Sequence, residues 1–297
     1  MLARTSLPGD RDGAATLIGS GPEPVWIASP RGYAIPVRRY GTAGRRRPVI
    51  MLHGLESHSG WFVQSARAIA ARGLPAHAFD RCGSGLSLTD PALGARFDAL
   101  FAEIDAVSEA ALEGTPHRAV HLVGHCFGAL LALLYAAQRR PSRVASLVLA
   151  TPALYTRDDL PPRRKARILW RALRAPAARE PVPLGPEDFS ELEPFVDFIR
   201  RDPLALHSVP ARLLFEIWRA RFRLPRAAAA LRVPLFAALA REDVVCDNPR
   251  NLALLARVKT SVEIIEYAGA RHVLEFSGQR AAFLTELGAW LESQEKS

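Results

Sequence analysis

The segment at residues 124–128, which reads Gly-His-Cys-Phe-Gly, constrains the fold of this chain more than any other feature. An apolar run at residues 119–123 precedes it, and a helix-like run at residues 129–136 follows it. A strand, a very tight turn between glycines and then a helix is the pattern of a nucleophile elbow. Serine is the usual central residue of such an elbow, and here it is Cys126. The pattern predicts that a sheet edge presents the thiol of Cys126.

Apolar runs that alternate with amphipathic segments extend this pattern along most of the chain. Strands are predicted at residues 25–29, 33–40, 48–52, 74–79, 119–123, 144–149, 233–239 and 261–267. Helices are predicted at residues 61–71, 97–112, 129–136, 249–257 and 279–292. Such strand–helix units predict an α/β fold with a mostly parallel, doubly wound sheet.

The alternation breaks between residues 153 and 232, where the sequence is helix-like, rich in Arg and Pro, and without a clear strand. We therefore expect a core in two parts, residues 1–152 and 233–297, with a helical cap inserted at residues 153–232. An insertion at this point lies over the carboxyl edge of the strands, where doubly wound sheets bind ligands.

Composition limits the class of protein. A chain of 297 residues with 49% hydrophobic content can bury a full core. Three scattered cysteines are too few for a disulfide framework, and no C-x-x-C pair suggests a metal site. We expect a reducing, cytoplasmic setting. The polar N-terminus lacks a signal-peptide pattern, and no run of about 18 apolar residues predicts a transmembrane segment.

The net charge of +9 is concentrated in the insertion, since residues 157–232 hold 16 Lys and Arg against 10 Asp and Glu. Such an excess could attract an anionic substrate, an acidic partner or an anionic lipid surface, although solvated arginine-rich helix faces are the simpler interpretation. The chain has no basic motif interleaved with aromatic residues, so nucleic-acid binding is not expected.

A nucleophile at residue 126 requires a base and an acid that follow it along the chain. His272, in the loop after the last predicted strand, is the expected base, whereas His207 falls in the insertion. Asp243 follows the strand at residues 233–239 and is the expected acid, with Glu242 and Asp247 as alternatives.

An oxyanion hole requires two backbone N–H groups directed at the developing negative charge. We expect them from Phe127, which follows the nucleophile, and from Leu55, in a loop where Gly54 allows close approach. Cys82 and Cys246 have no comparable sequence context and are expected to be incidental. Alternatively, Cys126 is itself only a small buried apolar residue.

Several segments together resemble the monoacylglycerol lipase-like, serine aminopeptidase S33 group of α/β-hydrolases. They are residues 52–60, 80–87, 124–128, 150–154, 243–245 and 267–272. The resemblance implies an α/β-hydrolase fold in which Cys126, Asp243 and His272 form a catalytic triad and Leu55 and Phe127 donate to the oxyanion. It implies no cofactor. Members of this group normally carry serine at the nucleophile position, whereas dienelactone hydrolases and polyhydroxyalkanoate synthases, which share the broad fold, carry cysteine.

The cysteine directs the functional interpretation toward an acyl-Cys intermediate. We expect ester or thioester hydrolysis. An acyltransferase that passes the acyl group to an amine, alcohol or carbon nucleophile is the first alternative, and a non-catalytic binding protein is the second. Coenzyme A or an acyl carrier protein could supply a thioester substrate.

A helix near the start of the insertion carries both charge and apolar residues. Its cations could attract such carriers, and its apolar side chains could face an acyl chain, although an ordinary amphipathic lid helix is the simpler interpretation. The cations are Arg163, Arg164, Lys165, Arg167, Arg171 and Arg174. The apolar residues are Ile168, Leu169, Trp170 and Leu173.

Overall fold

The computed structural model describes residues 21–42, 44–87, 89–139, 141–157 and 161–296. Most of the N-terminal segment, for which the sequence predicts no signal peptide, lies outside these residues. In the first half of the chain the strands are β1 (Val25–Ala28), β2 (Ala34–Tyr40), β3 (Val49–Leu52), β4 (Ala76–Phe79), β5 (Val120–His125) and β6 (Val144–Ala150). The helices are α1 (Val63–Ala71), α2 (Phe97–Leu112) and α3 (Phe127–Leu134).

The segment between β6 and the next strand of the main sheet, residues 153–232, is called the inserted segment below. Its elements are α4 (Pro162–Arg174), β7 (Arg179–Pro181), α5 (Pro186–Phe189), α6 (Glu193–Arg201), β8 (Ser208–Pro210), α7 (Ala211–Ala220) and α8 (Leu224–Ala230). β7 and β8 form a small antiparallel pair that the sequence does not predict. Each strand has three residues and ends in proline. Three residues are too few to show an alternation of apolar and polar side chains.

The chain then returns to the main sheet through β9 (Leu235–Ala240), α9 (Asn248–Leu255), β10 (Val262–Tyr267) and α10 (Arg280–Ser293). The eight strands lie in the order β1-β2-β4-β3-β5-β6-β9-β10. β2 pairs antiparallel with β1 and β4, and every pair from β4 to β10 is parallel. The prediction of a mostly parallel, doubly wound sheet is confirmed.

Two apolar layers cover the sheet, one on each face. Val148 of β6 packs in the layer with α1 and α10, whereas its neighbours Leu147 and Leu149 pack in the layer with α2 and α3. This alternation follows from the two-residue period of a strand. All four side chains of β3 are buried, as its continuous apolar run predicts.

Candidate active site

The turn at residue 126 joins the carboxyl end of β5 directly to the first residue of α3. Cys126 has φ 53° and ψ −114°, in a region that non-glycine residues rarely occupy. Its N–H donates to the carbonyl of Ala150 at 3.0 Å, which ties the strained turn to β6. The predicted elbow is therefore present, and α3 begins at once after Cys126.

The glycines on either side of the elbow allow this close crossing. A Cβ at Gly128 would lie 2.6 Å from the carbonyl carbon of Leu52 and 2.7 Å from the oxygen of His53. A Cβ at Gly124 would lie 2.6 Å from the Cα of Ala129. Only glycine fits at either position without displacing backbone atoms. The close crossing of β5, β3 and α3 therefore requires both glycines.

His272 and Asp243 meet at the same sheet edge. Nδ1 of His272 lies 2.9 Å from Oδ2 of Asp243, and both side chains are buried. Oδ1 of Asp243 accepts hydrogen bonds from the N–H groups of Val245 at 2.8 Å and Cys246 at 2.9 Å. These bonds fix the carboxylate, and the carboxylate in turn fixes the orientation of the imidazole.

Charge keeps this pair ionised despite its burial. Burial alone would raise the pKa of Asp243, but the His272 cation and the hydrogen bonds hold that pKa below its usual range. Burial alone would lower the pKa of His272, but the negative charge of Asp243 and the hydrogen bond to its carboxylate raise that pKa well above its ordinary value. The structure thus favours the imidazolium form of His272, in which both Nδ1 and Nε2 carry a proton.

Cys126 and His272 line one cavity, and Cys126 is partly exposed to it. Nε2 of His272 has no hydrogen-bond partner among the described residues, so no hydrogen bond joins it to the thiol. Such contacts are often loose in a free enzyme and tighten when substrate binds.

The sequence alternatives occupy other positions. Glu242 is exposed and its carboxylate accepts from the N–H of Gly269 at 2.8 Å. Asp247 caps α9 by accepting from the N–H of Arg250 at 3.1 Å. His207 lies in the inserted segment, where its carbonyl accepts from the N–H of Val182. Asp243 is the one of the three acids that hydrogen-bonds to His272.

Cys246, which the sequence predicts to be incidental, lies beside the imidazole of His272. Its sulfur lies 3.8 Å from Nδ1 of His272 and donates to the carbonyl of Thr151 at 3.3 Å. Burial raises the pKa of this thiol, so it stays neutral beside the imidazole. Its position three residues after Asp243 is the sequence signal that could have indicated it.

The ligand atoms of Asp243, Cys246 and His272 lie within 4.8 Å of one another, a spacing that could also suit a metal. Both the carboxylate and the thiol are already engaged by the hydrogen bonds given above. The hydrogen bonds account for the cluster as part of an acid–base pair.

The two expected oxyanion donors lie beside the elbow. Phe127 is the first residue of α3, so its N–H has no acceptor within the helix. The loop at Leu55 is close, because a Cβ at Gly54 would lie 3.3 Å from the Cβ and 3.8 Å from the sulfur of Cys126.

Arg81 and His53 hold the peptide that carries the Leu55 N–H, and sequence reasoning missed both. The carbonyl of Gly54 accepts from Arg81 at 3.2 Å and lies 2.8 Å from Nδ1 of His53. Nε2 of His53 accepts from the N–H of Arg81 at 3.2 Å. Because a trans peptide directs C=O and N–H oppositely, fixing the Gly54 carbonyl also fixes the Leu55 N–H. The Asp80-Arg81 pair at the start of the segment at residues 80–87 was the available signal.

The protonation state of His53 fits the hydrogen bonds that its two ring nitrogens make. Burial and the nearby guanidinium of Arg81 lower the pKa of His53 well below its usual range, which keeps the ring neutral so that one nitrogen donates and the other accepts. Arg81 also lies over the ring of Phe127, 5.4 Å from its centroid, and contacts the carbonyl of Leu55. One buried cation therefore contacts both of the residues that the sequence predicts as oxyanion donors.

Cys126 lies where two cavities meet. The larger one, about 1040 Å³ in volume, is mainly apolar. It is lined by Leu55, Phe127, Leu154, Val182, Leu184, Leu214, Ile217, Trp218, Val244 and others, with Lys165 and Arg221 among them. The smaller one, about 380 Å³, lies on the His272 side and is lined by Glu56, Ser57, Trp61, Phe62, His125, Phe189 and others.

The contacts of α4 give little support to the possibility that this helix binds a carrier or an acyl chain. Arg167 and Arg171 each pair at 2.8 Å with Glu180, which is fully buried, so these two cations hold the inserted segment together. An acyl chain against the apolar side chains was the less simple of the two interpretations, and Leu169, Trp170 and Leu173 are in fact exposed, by 42%, 62% and 65%. Ile168 is buried, and Lys165 alone from this helix lines the larger cavity.

Comparison with known proteins identifies a matching family model and several similar proteins. Residues 44–277 match the model of the family described as serine aminopeptidase, S33. Human monoglyceride lipase is 25% identical over 256 residues, which cover 83% of this chain and 82% of the human protein. A pimeloyl-[acyl-carrier protein] methyl ester esterase from Chromobacterium violaceum is 39% identical over 127 residues, 42% of this chain and 45% of that protein.

Solved structures show the same fold. The monoacylglycerol lipase of Paleococcus ferrophilus superposes with a TM-score of 0.80 at 23% identity, covering 88% of this chain and 99% of that one. A monoglyceride lipase from Saccharomyces cerevisiae gives 0.79 at 15% identity, with 94% and 97% covered. Among the described residues, every helix falls short of the length and apolar character needed to cross a bilayer.

Proposed function

Because this chain belongs to the serine aminopeptidase S33 family of α/β-hydrolases, we propose that it hydrolyses acyl esters or thioesters through a covalent acyl-cysteine at Cys126. The observation that carries this proposal is the strained backbone of Cys126 at the junction of two cavities, one of which also contains His272. Nothing in the packing of a structural cysteine requires φ 53°, whereas a nucleophile needs a turn that exposes its side chain.

The first chemical step is acylation. The thiolate of Cys126 attacks the carbonyl carbon, and the electron pair of the C=O bond moves to oxygen. The N–H groups of Leu55 and Phe127 stabilise this oxyanion. As the tetrahedral intermediate collapses, Nε2 of His272 gives its proton to the departing alcohol or thiol, and an acyl-Cys thioester remains.

The second step is deacylation. Neutral His272 accepts a proton from water at Nε2, and the oxygen attacks the thioester carbonyl. Collapse expels the thiolate of Cys126 and releases the carboxylic acid. Asp243 keeps Nδ1 protonated throughout and stabilises the imidazolium each time it forms.

The two cavities could bind the two parts of a substrate separately, the acyl chain in one and the leaving group in the other. The apolar walls of the larger cavity suit an acyl chain, and the smaller cavity on the His272 side suits the group that leaves or arrives. The inserted segment supplies walls to both, so we propose that it acts as the cap of this site. By their names, the relatives act on a monoglyceride and on a methyl ester of a carrier-bound acyl group. Esters are therefore supported as substrates by likeness.

A thiol nucleophile adds a preference within this class. A thiolate leaves more readily than an alkoxide, so attack on an unactivated ester tends to reverse before the alcohol departs. Attack on a thioester is more balanced, because the two sulfurs leave comparably. Coenzyme A or carrier-protein thioesters are the substrates that this argument favours. Transfer of the acyl group to an amine or alcohol would use the same intermediate with a different acceptor in the smaller cavity.

Kinetics on matched substrates test the proposal. The wild type should have a higher kcat/KM for a thioester than for the oxyester of the same acyl chain. Cys126→Ser should shift that preference toward the oxyester, and Cys126→Ala should lose roughly 10³-fold or more in turnover of both. Undiminished turnover by Cys126→Ala would contradict the nucleophile, and a wild-type preference for oxyesters would contradict the thioester assignment.

A further inference from the structure

The smaller cavity has polar atoms that the acylation chemistry does not use. Glu56, Ser57 and His125 line it together with Cys126 and His272. Ser57 already accepts the N–H of Gly54 at 2.9 Å. In contrast, Oε1 of Glu56 and Nε2 of His125 are buried and have no hydrogen-bond partner among the described residues. The smaller cavity is therefore lined by residues that carry unpaired buried polar atoms, whereas the lining of the larger cavity is mainly apolar.

Glu56 is the more unusual of the two groups. Its residue is 4% exposed, and it stands two positions after Gly54 in the loop that supplies the Leu55 N–H. Its carbonyl accepts from the N–H of Leu206 at 2.8 Å, so the inserted segment fixes its backbone. A buried carboxyl oxygen without a donor costs about 1–3 kcal/mol, which makes an unpaired one in a substrate cavity informative.

Its surroundings make the carboxyl sensitive to the charge of whatever binds. Burial raises the pKa of Glu56 to about 8, the negative charge of Asp188 adds to this rise, and the His272 cation opposes it. At neutral pH the free protein therefore holds this carboxyl largely protonated, able to donate or accept. A bound ammonium would favour the ionised form, because an opposite charge stabilises a carboxylate.

We propose that Glu56 is a specificity-determining residue that binds a hydroxyl or amino group of the leaving group or acyl acceptor in the smaller cavity. This inference rests on the proposed function, since it assigns the partner that meets the acyl-cysteine. A hydrocarbon group of equal size would leave Oε1 unpaired in the complex. A site built around such an atom discriminates against a ligand that lacks the matching donor.

Two matched pairs of thioesters with one acyl chain test this recognition. An S-(2-hydroxyethyl) thioester is compared with an S-propyl thioester, and an S-[2-(dimethylamino)ethyl] thioester with an S-(3-methylbutyl) thioester. The tertiary amine is protonated near pH 7, carries one N–H donor and cannot take up the acyl group itself. The first pair reports a hydroxyl partner and the second a cationic one.

The wild type should prefer the polar member of at least one pair by roughly tenfold in kcat/KM. Glu56→Ala should bring that ratio close to one. Glu56→Gln should keep a preference for the hydroxyl and lose a preference for the ammonium, since the amide retains hydrogen bonding without charge. Glu263→Gln, at an exposed site on β10, is the matched control and should leave both ratios unchanged.

Ratios that are near one in the wild type, or unchanged in Glu56→Ala, would overturn the assignment. A mass-spectrometric measurement of Cys126 acylation by an activated thioester distinguishes this failure from failure of the proposed function. If Cys126 is acylated and the ratios do not depend on Glu56, only the present inference is wrong. If Cys126 is never acylated, the proposed function fails first.

If Glu56→Ala folds poorly, a binding measurement that needs no catalysis tests the same assignment. Infrared difference spectra of wild type against Glu56→Gln at pH 7 should show one protonated carboxyl band. Addition of 2-(dimethylamino)ethanol should remove that band if the ammonium pairs with Glu56, and ethylene glycol should shift it if the hydroxyl does. A band that responds to neither alcohol contradicts binding at this carboxyl.

Discussion

Asp243 shows how single residues set the chemistry of this site. The buried carboxylate both fixes the tautomer of His272 and supplies part of the charge that keeps the imidazole protonated. Hydrogen bonds from the backbone of Val245 and Cys246 hold the carboxylate itself in place. In the proposed mechanism, Asp243 thus links the geometry of its loop to proton transfer at Nε2 of His272.

Asp243→Asn should lower kcat by about 10²–10⁴-fold, because the amide can hold His272 in the wrong tautomer. Asp247→Asn is the matched control: it sits at a helix cap, where Asn substitutes well for Asp, and should keep wild-type turnover. Steady-state kinetics on a thioester would measure both. Near-normal turnover by Asp243→Asn would remove the carboxylate from the proposed mechanism.

The same substitution predicts a pH dependence of stability. The folded-state pKa of His272 is raised, so its ion pair contributes fully below the unfolded pKa of about 6.5 and is lost as pH rises through the folded value. The folded-state pKa of Asp243 is lowered, so its contribution is lost only as pH falls below about 3.9. The difference in unfolding free energy between wild type and Asp243→Asn should therefore be larger at pH 6 than at pH 10. An equal difference at both values, measured by urea denaturation, would contradict the raised pKa of His272.

At the scale of elements, the crossing of β3, β5 and α3 depends on the missing side chain of Gly128. A Cβ there would meet the backbone at Leu52 and His53, and backbone can move only if the sheet moves. The same displacement would reach the Leu55 loop, which follows directly after β3.

Gly128→Ala should destabilise the fold by about 1–3 kcal/mol and lower turnover as well. Gly278→Ala is the matched control, because its nearest heavy atom would be an ordinary contact at 3.8 Å from the Cβ. That variant should change the unfolding free energy by less than about 0.5 kcal/mol. Urea denaturation of both would measure the difference, and equal stability of the two variants would refute the tight crossing.

The sequence predicts well where local pattern decides the structure. The helix at residues 97–112 has the bounds expected, and each strand of the main sheet agrees within two residues. The elbow, Asp243 and His272 follow from chain order and strand ends. The short strands β7 and β8 and the roles of Arg81, His53, Cys246 and Glu56 depend on contacts between distant segments, which periodicity does not record.

At the scale of the whole molecule, the inserted segment is joined to the sheet through Asp202. Oδ2 of Asp202 accepts from Nε1 of Trp61 at 2.6 Å and lies 2.9 Å from Nε2 of His58. All three side chains are nearly buried. Trp61 also lines the smaller cavity, so this contact connects the position of the inserted segment to the shape of that cavity.

Asp202→Ala should destabilise the inserted segment, because it leaves buried donors on Trp61 and His58 without an acceptor, at a cost of about 2–3 kcal/mol. Amide hydrogen exchange should rise over α6 and the residues that follow it, while β5 and β6 stay protected. Asp197→Ala, which removes an exposed carboxylate from the same helix, is the control and should change exchange little. Unchanged protection of α6 in Asp202→Ala would show that Asp202 does not hold the segment.

The most direct test of the account is the mass of the protein during turnover. Wild type is mixed with an acyl thioester, quenched in acid and digested, and the peptide that carries Cys126 is weighed. We predict an added acyl mass on Cys126 that is lost with time, that persists longer in His272→Ala once formed from an activated thioester, and that never forms in Cys126→Ala. An acyl group on another residue, or turnover of the thioester with no adduct at Cys126, would contradict the central claim.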